Sequence, residues 1–189
     1  MKPELILVHH PEIHARWRGI CCGRSEAQLS DAGHAMAARL VDELTAFAPA
    51  IVFSSPATRA YNVANALASR SGLPTRLDPR LNERKYGEWE GLSWQKIQSM
   101  DRFAMANLMD DPENFAPPGG ETAIAVQERI MAWYRSLDQD ANIVAVSHAG
   151  PIGALLGTLN GNPPSDWQSL VPAMGDRVRV ALGQSSEAA

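Results

Sequence analysis

The chain lacks most features that would mark it as secreted, membrane-bound or nucleic-acid-binding. Its only cysteines are the neighbours Cys21 and Cys22. Adjacent cysteines cannot staple distant parts of a fold, and without a second pair they do not make a zinc site; they read as reduced thiols. No apolar run approaches the ~20 residues that span a bilayer, and no basic segment leads into a long apolar one. The expectation is a cytoplasmic protein with no membrane partner. Positive charge is not in excess either, since 17 Lys and Arg face 21 Asp and Glu for a net charge of −4. That balance argues against the broad basic face a nucleic acid requires, so any bound anion must be met by a local cluster. There is no internal repeat.

Hydrophobic residues are 45% of the 189, enough for one compact domain with a substantial core. That domain is expected over residues 1–183, with the Ser- and Ala-rich residues 184–189 as a disordered tail. Short β-branched runs alternate with helical stripes along the chain. This pattern predicts an α/β fold, a three-layer sandwich with a mostly parallel central sheet flanked by helices. Strands are read at Glu4 to His10, Ile51 to Phe53, Thr75 to Leu77, Asn142 to His148 and Arg177 to Leu182. Helices are read after Ser30, from Ser54-Ser55-Pro56 to Arg70, after Ser93, over Arg102 to Met109, over Thr122 to Leu137 and from Gly150-Pro151 to Leu159. In the second of these a Ser cap and Pro at the first helical position mark the start. The stretch from Asp101 to Pro118 reads as a lid over the site.

Two histidines, His10 and His148, close buried-strand runs, and in open α/β sheets ligands bind outside the strands' carboxyl ends. Alone, each is as readily a packing or capping residue. Arg59 stands about one turn into the helix after Ser54-Ser55-Pro56, near its positive end, where a guanidinium joins free amides in gripping an anion. Glu83 lies beside Tyr86-Gly-Glu-Trp-Glu-Gly91, and a half-buried carboxyl among aromatics can protonate a leaving oxygen. Glu88 and Glu90 read as solvated surface charge. Glu121, after a double glycine, reads either as a group that orients a histidine or contacts substrate, or as a loop cap.

Taken in order, these segments resemble the histidine phosphatase, or phosphoglycerate mutase-like, superfamily. Leu7-Val8-His9-His10 is similar to its Arg-His-Gly opening and Ser54-Ser55-Pro56-Ala-Thr-Arg59 to its Ser-Ser-Pro-x-x-Arg. Leu81-Asn-Glu83 with Gly87-Glu-Trp-Glu-Gly91, then Pro118-Gly-Gly-Glu121, then Ser147-His148-Ala-Gly150 complete the series. The loop Gly19-Ile-Cys-Cys-Gly-Arg-Ser25 resembles the α-ribazole phosphatase branch.

The resemblance implies a metal-independent phosphomonoesterase without a cofactor, acting on a small phosphate ester for which α-ribazole phosphate is a candidate. His10 would be the nucleophile that forms a phosphohistidine. Glu83 would protonate the leaving alkoxide and then activate water, and Arg59 and His148 would hold the equatorial oxygens. A neutral imidazole attacks well when its other nitrogen donates to a carbonyl, so that the lone pair faces substrate.

The chain departs from the pattern where it matters most: the family's Arg before the nucleophile is His9 here, and the Gly after it is Pro11. His9 is a shorter phosphate ligand without the bidentate fork. Losing one preorganised donor costs about 10²–10³ in rate, which predicts a slow enzyme unless the basic loop compensates through Arg16, Arg18 or, first among them, Arg24. Two alternatives follow. One is a catalytically weak or inactive phosphate-binding or interaction protein of the same fold. The other is a phosphoglycerate-type mutase, which needs a phosphohistidine shielded from water and larger insertions than this chain has room for.

Overall fold

The computed structural model describes residues 3–182, so the expected tail at 184–189 lies outside the described residues. A sheet of five strands in the order β3-β2-β4-β1-β5 forms the centre. Strands β1 (Glu4–His9), β2 (Ile51–Ser54), β3 (Thr75–Leu77) and β4 (Ile143–Ser147) run parallel, and β5 (Arg177–Ala181) is antiparallel at the edge beside β1. The three-layer α/β reading holds.

Why β1 and β4 are apolar without alternation is clear from their two faces. Leu5, Leu7, Ile143 and Ala145 point into one core with α5 (Ala123–Arg135) and α6 (Ala149–Asn160). Ile6, Val8, Val144 and Val146 point into the other, against α1 (Asp31–Ala46) and α2 (Thr58–Arg70). A strand covered by helices on both sides has no solvent face to keep polar. β5 has one: its side chains are only partly buried or exposed.

Helix starts follow local capping chemistry at α1 and α5, whereas α2 and α6 begin without a side-chain cap. Ser30 Oγ accepts from Gly33 N at 2.9 Å to cap α1, and Thr122 Oγ accepts from Ala125 N at 3.1 Å to cap α5. Ser54-Ser55-Pro56 does not start α2 as its sequence suggests. The helix begins at Thr58 behind Ala57, with no side-chain cap. Ser54 Oγ donates instead to Ser55 O at 2.7 Å, and Ser55 Oγ is engaged by the site described below.

A third, smaller core lies above the sheet, where Cys21, Trp89, Ile97 and Ala104 pack with Tyr86, Trp94, Leu108 and Phe115. It joins the loop after β1 to α3 (Trp94–Met100) and α4 (Ala104–Asp110). Cys21 is a packing residue here: burial pushes its thiol up to about 12, which makes it a poor thiolate. No helix among the described residues is long and apolar enough to cross a membrane.

Candidate active site

The ends of three parallel strands carry the site. β1 delivers His9 and His10, β4 delivers His148, and β2 delivers Ser55, so their convergence follows from strand register: His9 pairs with Ser147 and Ser54 with Val146. His10 and His148 stand edge to face with ring centroids 5.0 Å apart, and His9 lies 4.9 Å from His10.

His10 donates from Nδ1 to the carbonyl of Pro11 at 2.8 Å. The Nε2 lone pair is thereby turned to Arg59, whose Nε–H donates to it at 3.2 Å. Pro11, a departure from the family pattern, thus supplies the carbonyl that fixes the tautomer. Arg59 is held by its remaining nitrogens, Nη1 donating to Ser25 O at 2.8 Å and Nη2 to Gly23 O at 2.7 Å. Its side chain is 2% exposed, so these carbonyls are what make a buried guanidinium tolerable. Gly23 has φ +49, and a side chain there would meet Glu90.

His148 is fixed through a relay. The Ser55 hydroxyl donates to Asn82 Oδ1 at 2.9 Å and therefore accepts from His148 Nε2 at 2.8 Å. Nδ1 of this fully buried ring is left without a partner among the described residues. All three histidines are pushed below the ordinary value of 6.5, first by burial. The positive neighbours lower His10 and His148 further, whereas the Pro172 carbonyl and Glu83 partly restore His9.

Glu83 faces the histidines from the loop after β3. Its Oε1 accepts from Arg84 N at 2.7 Å and from Gly150 N at 3.0 Å, the latter in the first turn of α6. Oε2 has no hydrogen bond among the described residues. A Cβ at position 150 would displace the Glu83 carboxylate from this position. The Glu83 main chain is clamped in turn, its carbonyl accepting from Arg24 Nε at 2.9 Å and from Arg129 Nη2 at 3.1 Å. Glu121 joins the two cations, 2.9 Å from Arg24 and 3.2 Å from Arg129.

Arg24, Arg59, Asn82 and Glu83 line a hollow of about 180 Å³, and none of the three histidines is among its lining residues. Arg24 is therefore at the site, though one face of its guanidinium is committed to Glu83 and Glu121. Arg16 and Arg18 are exposed, and neither joins the hydrogen-bond network of the site. His9 donates Nδ1–H to Pro172 O at 2.9 Å, which leaves its Nε2 for a ligand. Of the two readings of Glu121 the loop cap fits: it contacts no histidine and accepts from two arginines and the Lys85 amide. One sequence expectation is corrected. Glu90 is not merely solvated: its carboxylate accepts from Tyr86 N at 2.9 Å and braces the Gly23–Ser25 loop, while Glu88 is exposed.

Ser55 as a histidine partner, Asn82, Arg84 and Arg129 were not legible as site residues. Ser55 looks like a helix cap, and an arginine inside an amphipathic helix looks like surface charge. Only the position of Asn82 beside Glu83 offered a hint.

A parallel sheet with imidazoles at two strand ends and a buried guanidinium beside them defines a class of α/β domain built to hold an anion at its carboxyl-end crevice. The chain belongs to the histidine phosphatase superfamily, branch 1, whose family model matches residues 5–185. It is 29% identical over 195 residues to a glucosyl-3-phosphoglycerate phosphatase of Mycolicibacterium vanbaalenii, covering 98% of this chain and 86% of that one. It is 28% identical over 163 residues to the adenosylcobalamin/alpha-ribazole phosphatase of Escherichia coli, covering 85% and 80%. The alpha-ribazole phosphatase structure from Shigella flexneri superposes with a TM-score of 0.86 at 26% identity, over 96% of this chain and 91% of that one.

Proposed function

We propose that the protein is a metal-independent phosphomonoesterase that works through a phosphohistidine on His10. The observation that carries this reading is the orientation of His10, whose Nδ1–H is held by Pro11 O so that Nε2 presents its lone pair to the anion-binding side. Nε2 attacks phosphorus and the ester P–O bond breaks. Glu83, through its unpartnered Oε2, gives its proton to the departing alkoxide. Water then attacks the phosphohistidine, Glu83 takes its proton, the N–P bond breaks and inorganic phosphate leaves. Arg59 and Arg24 stabilise the charge on the equatorial oxygens, and His148 at Nδ1 and His9 at Nε2, lone pairs in the free site, join them by taking up a proton from the medium as the anion binds.

The family and its phosphatase relatives support a small phosphate ester as substrate. Glucosyl-3-phosphoglycerate and α-ribazole phosphate are the candidates that the relatives' names supply. His9 favours one second reading, a protein of this fold that binds phosphate and turns over slowly. Phosphate release from a panel of monoesters, with His10→Ala as blank, tests the proposal. Release above the blank, with acid-labile phosphate trapped on His10, is the expected result, and equal rates for the two proteins would overturn it.

A further inference from the structure

Glu83 stands between two cavities of opposite character. On one side is the charged hollow lined by Arg24, Glu26, Arg59 and Glu83 itself. On the other is a second cavity, of about 140 Å³, between the first turns of α5 and α6, the 164–168 turn and α4. Its wall begins one residue beyond two members of the site, at Arg84 after Glu83 and at Ala149 after His148, and includes Gly150, whose amide holds Glu83. A general acid must sit at the ester oxygen, where phosphate ends and leaving group begins. The cavity on the far side of Glu83 therefore lies where a leaving group would extend.

Its chemistry is mostly apolar. Leu108, Met109, Pro112, Val126, Trp167 and the Tyr86 ring make most of the wall, Ser165 and Gln168 add uncharged polar groups, and no carboxylate, lysine or histidine lines it. The one cation, Arg84, is committed: Nε donates to Glu121 O at 2.9 Å and Nη2 to Phe115 O at 3.0 Å, and the guanidinium lies over the Tyr86 ring. A carboxylate or second phosphate buried there would find no free counter-ion, a costly state. Met109, 58% exposed at the mouth, is a large apolar side chain that such a ligand would cover.

We infer that this cavity is the leaving-group subsite and that it takes phosphate monoesters of uncharged, apolar or aromatic alcohols in preference to those bearing a carboxylate. The inference rests on the phosphatase reading and narrows its substrate class. The stretch around α4, expected from the sequence to be a lid, acts as a specificity wall.

The test compares kcat/KM for 2-phenylethyl phosphate, phosphoserine and 3-phosphoglycerate, all of which release aliphatic alkoxides, so leaving-group basicity does not favour the first. Preference for the phenylethyl ester by about tenfold or more is expected, the scale on which an apolar pocket discriminates. Met109→Lys should cut that preference to about a fifth or less by placing a cation at the mouth, and Leu108→Ala should lower it by removing wall. Equal or inverted preference in the wild type, or a preference unmoved by both variants, overturns the subsite while leaving the phosphatase intact. No release above the His10→Ala blank from any ester overturns both.

Discussion

Arg59 Nε lies 3.2 Å from His10 Nε2, so the guanidinium caps the lone pair of the proposed nucleophile. Binding of a phosphoryl group must replace that contact: the N–H that rests on nitrogen moves to a phosphate oxygen as the lone pair turns to phosphorus. Arg59→Ala removes the cap and the grip together. We expect kcat/KM to fall about 10²–10³-fold, with Arg59→Lys recovering little because an ammonium cannot reach Gly23 O, Ser25 O and phosphate in one planar fork. A steady-state comparison of the two variants with wild type checks this.

The Ser55 hydroxyl is a tautomer lock. Because it donates to Asn82, it obliges His148 to carry its proton on Nε2. Ser55→Ala would free the ring to hold either tautomer and leave Asn82 Oδ1 unpaired. The expected loss is about tenfold in kcat, with a smaller change in KM, since the ring's charge-stabilising geometry is what suffers. Ser55→Thr, which keeps the hydroxyl, should recover most of it. Nitrogen chemical shifts of the His148 ring would report the lost tautomer preference, a signature that a purely structural defect would not give.

All three site histidines have pKa values below 6.5 in the folded protein, so an unfolded chain binds more protons as the medium becomes acidic. Their effect on stability is neutral above the ordinary value and turns against folding as pH falls from there towards the folded values. Stability should decline progressively as pH falls below 6.5, each of the three buried histidines steepening the fall. Sulfate, which does not titrate in this range, should protect more strongly at about pH 5.5 than at about pH 8, because a bound anion favours the imidazolium. Thermal unfolding across pH, with and without sulfate, measures both. A flat stability curve would contradict the burial argument.

Arg129 holds the site from behind. It donates to the carbonyls of Arg80 and Glu83 and pairs with Glu121, all from one half-turn of α5 that the sequence marks only as amphipathic. Arg129→Met should cost about 2 kcal/mol, less than a fully buried pair because Arg24 still neutralises Glu121. Denaturant unfolding gives that figure, and kcat should fall with it as Glu83 loses one of two clamps.

What was legible in the sequence, and what was not, divides along range of interaction. β1 and β4 were legible because burial on both faces leaves continuous apolar runs, and α1 because its stripe and its Ser30 cap are local. Ser55 was misread because a cap residue and a histidine partner look alike until β4 is placed beside β2. The clamp on Glu83 joins Arg24, from the loop after β1, to Glu121 and Arg129 at and inside the start of α5, and no local pattern links the two segments. Glu90 failed similarly: its role depends on the Gly23 loop folding over it.

His9 poses the sharpest question about rate. In the family pattern an arginine stands there, whereas here an imidazole donates Nδ1–H to Pro172 O and, its pKa lowered first by burial, keeps Nε2 as a lone pair that gives an anion no donor. Arg24 stands nearby but is bound on one side to Glu83 O and Glu121, so it restores only part of the missing charge. His9→Arg should therefore raise kcat/KM, by about 10-fold or more against the 10²–10³ assigned to one preorganised donor. Arg24→Ala in the wild-type background should lower it, and the same change should matter less once His9→Arg is present, because two arginines then serve one oxygen. Kinetics on the double-mutant cycle resolve this. If His9→Arg gives no gain while Arg24→Ala abolishes activity, Arg24 already compensates in full and His9 imposes no penalty on turnover.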